Sequence, residues 1–175
     1  MLPASPGAIN SLQALVVSGD DKLARFAFDK LTHLGGPAVI DFYAQLLEHP
    51  DPWRRNGAAL GLKKLGDARV VPALLRAIFK PAHLGSNGTI VYALVSFDCT
   101  DLLEEIMLII FYQGFEGALT AHLALQNQAF NVTLAQKISI QHHWQQVRQQ
   151  PSEAVVSLGI DYLEEVMDEL FEGIR

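Results

Sequence analysis

The chain has 175 residues, half of them apolar and 18% charged, so it carries enough apolar material for one shared core and is not a disordered polymer. Its net charge of -6 and pI of about 5.4 disfavour a general nucleic-acid-binding protein, because phosphate neutralisation needs clusters of Lys and Arg. The single cysteine, Cys99, excludes an internal disulfide and suits a cytoplasmic protein, and the longest apolar run, residues 106–112, is too short to span a bilayer.

An initial helix is predicted over residues 8–18, where Ile9, Leu12, Leu15 and Val16 recur at helical spacing. Helical pairs are predicted over residues 20–149, each consisting of a first helix, a corner and a second helix. The predicted helices of the four pairs are 21–34 with 38–48, 52–65 with 69–79, 89–97 with 101–112, and 115–128 with 132–149. Glycine, aspartate and proline at the corners end one helix and begin the next.

A last helix is predicted over residues 153–173, with Ser152 as its N-cap. It combines an apolar stripe with a face of carboxylates. Because the terminal unit of a repeat array needs a polar outer side, the pattern predicts a C-terminal capping helix.

The first two pairs repeat each other at a spacing of about 31 residues, and such a period is typical of a solenoid. The residues that correspond in this alignment are Asp20 and Asp51, Ala27 and Ala58, Leu34 and Leu65, and Gly35 and Gly66. Each unit exposes an apolar face that only its neighbour can cover, so the units must stack. The product is a surface for binding and not a pocket for catalysis.

The segment 51–75 resembles a HEAT repeat of the phycobilisome-lyase-like subclass. The residues that carry the resemblance are Asp51, Arg55, Ala58, Ala59, Leu65, Gly66, Asp67, Val71, Pro72, Leu74 and Leu75. The resemblance implies an all-α fold, an α-solenoid of about four HEAT-like helical hairpins with a C-terminal capping helix. With no long linker in the sequence, residues 1–175 are predicted to form one domain.

A second segment, residues 87–100, is similar to a motif of small bacterial HEAT-like proteins, some of which are predicted to protect cells from polymorphic or contact-dependent toxins. This resemblance implies a cytoplasmic immunity protein that binds and neutralises a cognate toxin domain, such as a basic nuclease. Two alternatives stay open: a lyase-like or chaperone subunit that holds a chromophore or client, and a general protein-interaction scaffold.

Carboxylates are the candidate binding residues. Asp41 and Glu48 lie on the second helix of the first pair, and Glu104 and Glu105 lie on the corresponding helix of the third. The HEAT resemblance implies that second helices line the concave side, so we expect these residues to converge in an acidic groove with Tyr112 as an aromatic anchor. The alternative is a solvated helix face.

The last helix adds Asp161, Glu164, Glu165 and Asp168 to the candidate partner-binding set. A continuous negative face suits a basic protein partner, and opposite charge accelerates association. A solvated cap would carry the same residues, and a net charge of -6 also serves solubility.

No catalytic, metal or cofactor site is predicted. The histidines are scattered without a metal-binding spacing, and Asp98 and Asp101 beside Cys99 would raise the pKa of its thiol and so keep it unreactive. The glycines do not form a phosphate-binding loop. We therefore expect a monomer that is not an enzyme, needs no cofactor, and binds a protein and neither nucleic acid nor membrane.

Overall fold

The structure, a computed structural model, describes residues 6–174, and that span contains helices and no strands. Its eleven α-helices are α1 (Pro6–Val16), α2 (Asp21–Leu34), α3 (Pro37–Leu46), α4 (Pro52–Leu65), α5 (Val71–Ile78), α6 (Gly88–Leu94), α7 (Leu103–Tyr112), α8 (Phe115–Asn127), α9 (Leu134–Val147), α10 (Glu153–Leu158) and α11 (Ile160–Leu170). In the described span, no helix has both the length and the apolar character needed to traverse a lipid bilayer.

The helices alternate between two layers. The first layer consists of α2, α4, α6, α8 and α10, and each of these helices packs against the next. The helices α1, α3, α5, α7, α9 and α11 form the second layer. One continuous core of buried apolar side chains runs between the layers from Val16 to Phe171. The arrangement confirms the predicted all-α solenoid of stacked helical hairpins.

The repeat has a local cause in the caps that begin and end the first helices. The side chain of Asp20 accepts hydrogen bonds from the backbone N–H groups of residues 22 and 23, and Asp51 accepts one from that of Trp53. Both helices then end at a glycine with positive φ, 62° at Gly35 and 68° at Gly66. The same cap and stop, one period apart, give α2 and α4 the predicted bounds.

Small residues let the first helices approach closely. A Cβ atom built on Gly57 would lie 2.7 Å from the Phe28 ring, and one on Gly61 would lie 2.3 Å from the Tyr43 ring. In the second layer α3, α5 and α7 make only marginal contact with one another. Between α2 and α8 the first helices therefore form the more tightly packed layer.

The C-terminal segment departs from the prediction of one helix over 153–173. Gly159 takes φ 97° and ψ 124°, which interrupts the segment between α10 and α11. The short α10 packs against α8 and α7, and α11 follows it as a separate helix. The apolar residues keep one helical spacing through both helices, so the sequence pattern did not reveal this break. The two helices nevertheless bury these residues against different neighbours.

Candidate functional site

The net charge is distributed unevenly along the stack. Residues 1–97 contain ten Lys and Arg against seven Asp and Glu, whereas residues 98–175 contain three against twelve. With His neutral, the formal charge is therefore +3 for the N-terminal region and -9 for the C-terminal region. The acidic character expected for the whole molecule belongs to the region that begins just before α7.

Two of the predicted site residues, Asp41 and Glu48, lie in the cationic N-terminal region. Asp41 is on α3, whereas Glu48, predicted on the same helix, lies in the turn after the helix ends at Leu46. Glu48 accepts a hydrogen bond from Lys80 Nζ at 2.6 Å, and this bond holds the pKa of Glu48 below its ordinary value. The charge of Glu48 is thus paired with a cation of the next unit.

The other predicted groove residues lie on α7 and contact α9. Glu104 accepts a hydrogen bond from Ser139 Oγ at 2.5 Å, and the Tyr112 hydroxyl is 2.9 Å from His143 Nδ1. Glu105 is half-buried on the same helix. The helix pair α4 and α5 separates α3 from α7 in the stack. The structure therefore does not bring Asp41 and Glu48 together with Glu104 and Glu105 in one groove.

The four predicted residues of the last helix lie on two sides of α11. Glu164 has a structural role. Its Oε1 accepts a hydrogen bond from Trp144 Nε1 at 3.0 Å and forms an ion pair with Arg148 Nη1 at 3.1 Å. Asp168 lines a depression on the same side, toward α9. Asp161 and Glu165 are exposed, and Glu165 points to the other side, toward α8.

A groove of about 460 Å³ lies between α8 and α11. We call it the acidic groove; its lining residues are Leu125, Gln126, Tyr162, Glu165, Val166, Glu169 and Leu170. Two carboxylates border a partly exposed apolar strip, and no Lys or Arg is among the lining residues. Such a groove can bind the aliphatic stem and the charged end of a Lys or Arg side chain together.

A second groove, of about 500 Å³, lies between α2 and α4 and was missed by the sequence reasoning. We call it the cationic groove and define it by Arg25, Phe28, Trp53, Leu60 and Lys64. The ring of Trp53 lies edge-on to the Phe28 ring of α2 at a centroid distance of 5.7 Å. The excess of Lys and Arg before residue 98 was the sequence signal for this surface.

Neither a metal site nor an activated nucleophile is found in residues 6–174. No group of three His, Cys, Asp or Glu side chains there could hold a metal ion. Cys99 is fully buried, and its burial raises the pKa of the thiol, so the reactive thiolate form is disfavoured.

The model of the HEAT repeats family matches residues 10–83 of the chain. This span contains α1 to α5 and ends in the turn before α6, and the helices beyond it continue the same alternation of layers. No curated protein matches the sequence. Residues 10–83 are thus similar to HEAT repeats, a fold that typically serves as a non-catalytic scaffold for protein interactions.

Proposed function

We propose that this chain is a protein-binding module whose acidic C-terminal region captures a basic protein partner. The observation that carries the proposal is the concentration of twelve carboxylates against three cations in residues 98–175. Few of these carboxylates are compensated: within residues 6–174, the only ion pair in this region joins Glu164 to Arg148. Uncompensated carboxylates concentrated in one region of a molecule accelerate the approach of a basic partner.

Apolar side chains in the same region supply contact area. Tyr112 is 42% exposed, and Ile138 and Val156 are each 59% exposed. Aromatic and aliphatic side chains of this kind provide most of the binding free energy of an interface, while surrounding charges set orientation and rate. The acidic groove, which Glu165 and Glu169 border, combines both kinds of residue.

The specific use that we propose is immunity: the chain binds a cognate bacterial toxin domain, for example a basic nuclease, and blocks its active site. It acts as a monomer in the cytoplasm. The similarity of residues 87–100 to small HEAT-like immunity proteins supports this use, as does the negative charge, because it matches the opposite charge of an enzyme that acts on nucleic acid.

Within this proposal the partner-binding set consists of Glu105, Tyr112, Asp161, Glu165 and Asp168, joined by Glu104 at its edge. Glu164 contributes indirectly, because its hydrogen bond from Trp144 fixes α11 against α9. Asp41 and Glu48 are left out of this set, since both lie in the cationic N-terminal region and Glu48 is paired with Lys80.

Affinity capture tests the proposal. The immobilised chain is exposed to lysate of its native cells at moderate salt, in parallel with a D161K/E165K/D168K variant and with a matched D21K/D29K/D41K variant of exposed N-terminal carboxylates. We expect one basic protein to be retained by the chain and by the matched variant and to be lost by the first. Retention of the same proteins on all three would contradict the placement of the site.

Growth rescue tests the finer function. The captured protein is expressed in a host from an inducible promoter, with and without this chain. Immunity predicts growth arrest by the captured protein alone and restored growth when the chain is present, but not when the D161K/E165K/D168K variant replaces it. A pigment-bearing client without toxicity would instead favour the lyase-like alternative, and several weakly bound proteins would favour a general scaffold.

A further inference from the structure

The cationic groove offers a second surface, with charge opposite to that of the proposed partner site. It lies between α2 and α4, and Thr89 of α6 also lines it. The volume of about 500 Å³ is large enough for one or two large side chains of a bound segment.

The floor of the groove is apolar and rigid. Because Gly57 and Gly61 lack side chains, the rings of Phe28 and Tyr43 pack directly on α4. Trp53 stands edge-on to Phe28 at a centroid distance of 5.7 Å, and Leu60 beside it is 47% exposed. Aromatic rings that are already fixed by packing lose little conformational entropy on binding, which is why such rings recur at the centres of interfaces.

The rim of the groove is cationic. The Arg25 guanidinium lies over the Trp53 ring at 5.2 Å from its centroid, and Lys64 is exposed on the opposite rim. Neither side chain forms an ion pair with any residue in the span 6–174. Next to the groove, Lys63 Nζ lies 3.4 Å from the centroid of the Tyr92 ring.

Only one carboxylate, Asp29, lines the groove, so the local charge is positive in a chain whose net charge is -6. Aromatic rings hold Arg25 and Lys63 in place without neutralising them, so their charges are available to an incoming anion. The groove is therefore complementary to a segment that carries both carboxylates and a large apolar side chain.

We propose that the cationic groove binds an acidic polypeptide segment of a second protein partner. A large apolar side chain of the segment lies on Phe28 between Trp53 and Leu60, and its carboxylates contact Arg25 and Lys64. This surface is independent of the proposed toxin site. The carboxylates of α7 to α11 repel such a segment elsewhere on the molecule and so restrict it to the groove.

The test uses a phage-displayed library of random peptides of about a dozen residues, selected against the folded full-length chain. We expect enrichment of peptides with net negative charge and at least one large apolar residue. Enrichment of neutral or basic peptides, or of none, would overturn the proposal.

Fluorescence anisotropy then locates the binding site of the most enriched peptide. We expect R25E/K64E to weaken its binding by about tenfold or more, and L60S to weaken it as well. The matched control is K22E/K30E, which makes the same charge change on exposed residues of α2 outside the groove and should leave the affinity within about twofold. Circular dichroism checks that each variant is folded. Equal weakening by the matched control would overturn the proposal, because it would indicate an effect of overall charge.

Two further measurements identify the occupant. Sedimentation of the chain at high concentration should yield a monomer. An oligomer that R25E/K64E abolishes would overturn the proposal, because the occupant of the groove would then be the acidic α11 of a second copy of the chain. Capture of the basic partner should be unaffected by R25E/K64E, so the failure of one binding surface is distinguishable from the failure of the other.

Discussion

Arg55 Nη2 donates a hydrogen bond at 2.8 Å to Oγ of Ser86, which lies 31 residues further along the chain. That separation equals the period of the repeat. Arg55 Nη1 donates to the carbonyl oxygens of His49 and Pro50, each at 2.9 Å, so one buried guanidinium joins the loops that end two successive units. No carboxylate pairs with it in the described span, and burial lowers its pKa.

We predict that R55A lowers the free energy of unfolding by about 3 kcal/mol or more, because the His49 and Pro50 carbonyl groups and the Ser86 hydroxyl all lose their donor. R55K should also be destabilised, since one ammonium group cannot reach three acceptors in this arrangement. S86A, which removes only one of the bonds, should cost about 1 kcal/mol. Urea denaturation measures all three; equal stability of R55A and S86A would contradict the joining role.

Tyr43 should make stability depend on alkaline pH. Its hydroxyl donates to the carbonyl oxygen of Phe28 and is bonded to Thr32 Oγ1, each at 2.9 Å. Burial is the main cause that raises the pKa of Tyr43 from 10.0 to about 12. The raised pKa favours the folded state below pH 10, and this stabilisation is lost as the pH rises through about 12.

The measurement is the free energy of unfolding of the wild type and of Y43F at a series of pH values from neutral to strongly alkaline. The difference between the two proteins isolates Tyr43, since the lysines titrate in both. It should shrink across the interval between the two pKa values by on the order of 2 kcal/mol. Parallel curves would contradict the assignment.

Gly61 should tolerate no side chain. A Cβ atom at this position would lie 2.3 Å from the Tyr43 ring, so G61A forces the ring or α4 to move. We predict a loss of about 1–3 kcal/mol. Gly7 is the matched control, because it lies in α1 and its Cβ atom would meet nothing within 4 Å. G7A should be neutral or stabilising by up to about 1 kcal/mol in thermal or urea denaturation. A G61A protein as stable as G7A would disprove the close contact.

Gly159 should be required for the break between α10 and α11. With φ 97° it has a conformation that L-residues avoid, so we predict that G159A costs about 1–3 kcal/mol, although alanine is the better helix former. S157A, at an exposed position of α10, should change stability by less than about 0.5 kcal/mol. Urea denaturation compares the two. A G159A protein more stable than the wild type would mean that the segment accepts a continuous helix.

Local chemistry explains where the sequence predicted the fold well. The bounds of α2 and α4 follow from Asp20 and Asp51 at one end and Gly35 and Gly66 at the other, and these caps act through neighbouring backbone groups. The break at Gly159 could not be predicted in the same way, because it depends on the contact of α10 with α8, which is distant in sequence.

The candidate site was less predictable, because the cation that compensates a carboxylate can lie on a different repeat unit of the stack. Helical spacing put Asp41 and Glu48 on one predicted helix, but α3 ends at Leu46 and leaves Glu48 in the following turn. The spacing also could not reveal that Lys80 of the next unit would pair with Glu48. The cationic groove escaped notice for a related reason: the net charge of -6 is an average over two regions of opposite sign.

The charge separation described above gives the molecule a large electric dipole along the stack. From α2 to α10 the first layer comprises four helix-to-helix steps of about 8–10 Å each, so the two ends are separated by several Debye lengths, each about 8 Å at physiological ionic strength. Under those conditions, occupation of one end leaves the potential at the other nearly unchanged. In dilute buffer the screening length grows to the size of the molecule, and an acidic segment and a basic domain, bound at opposite ends, would each strengthen the binding of the other.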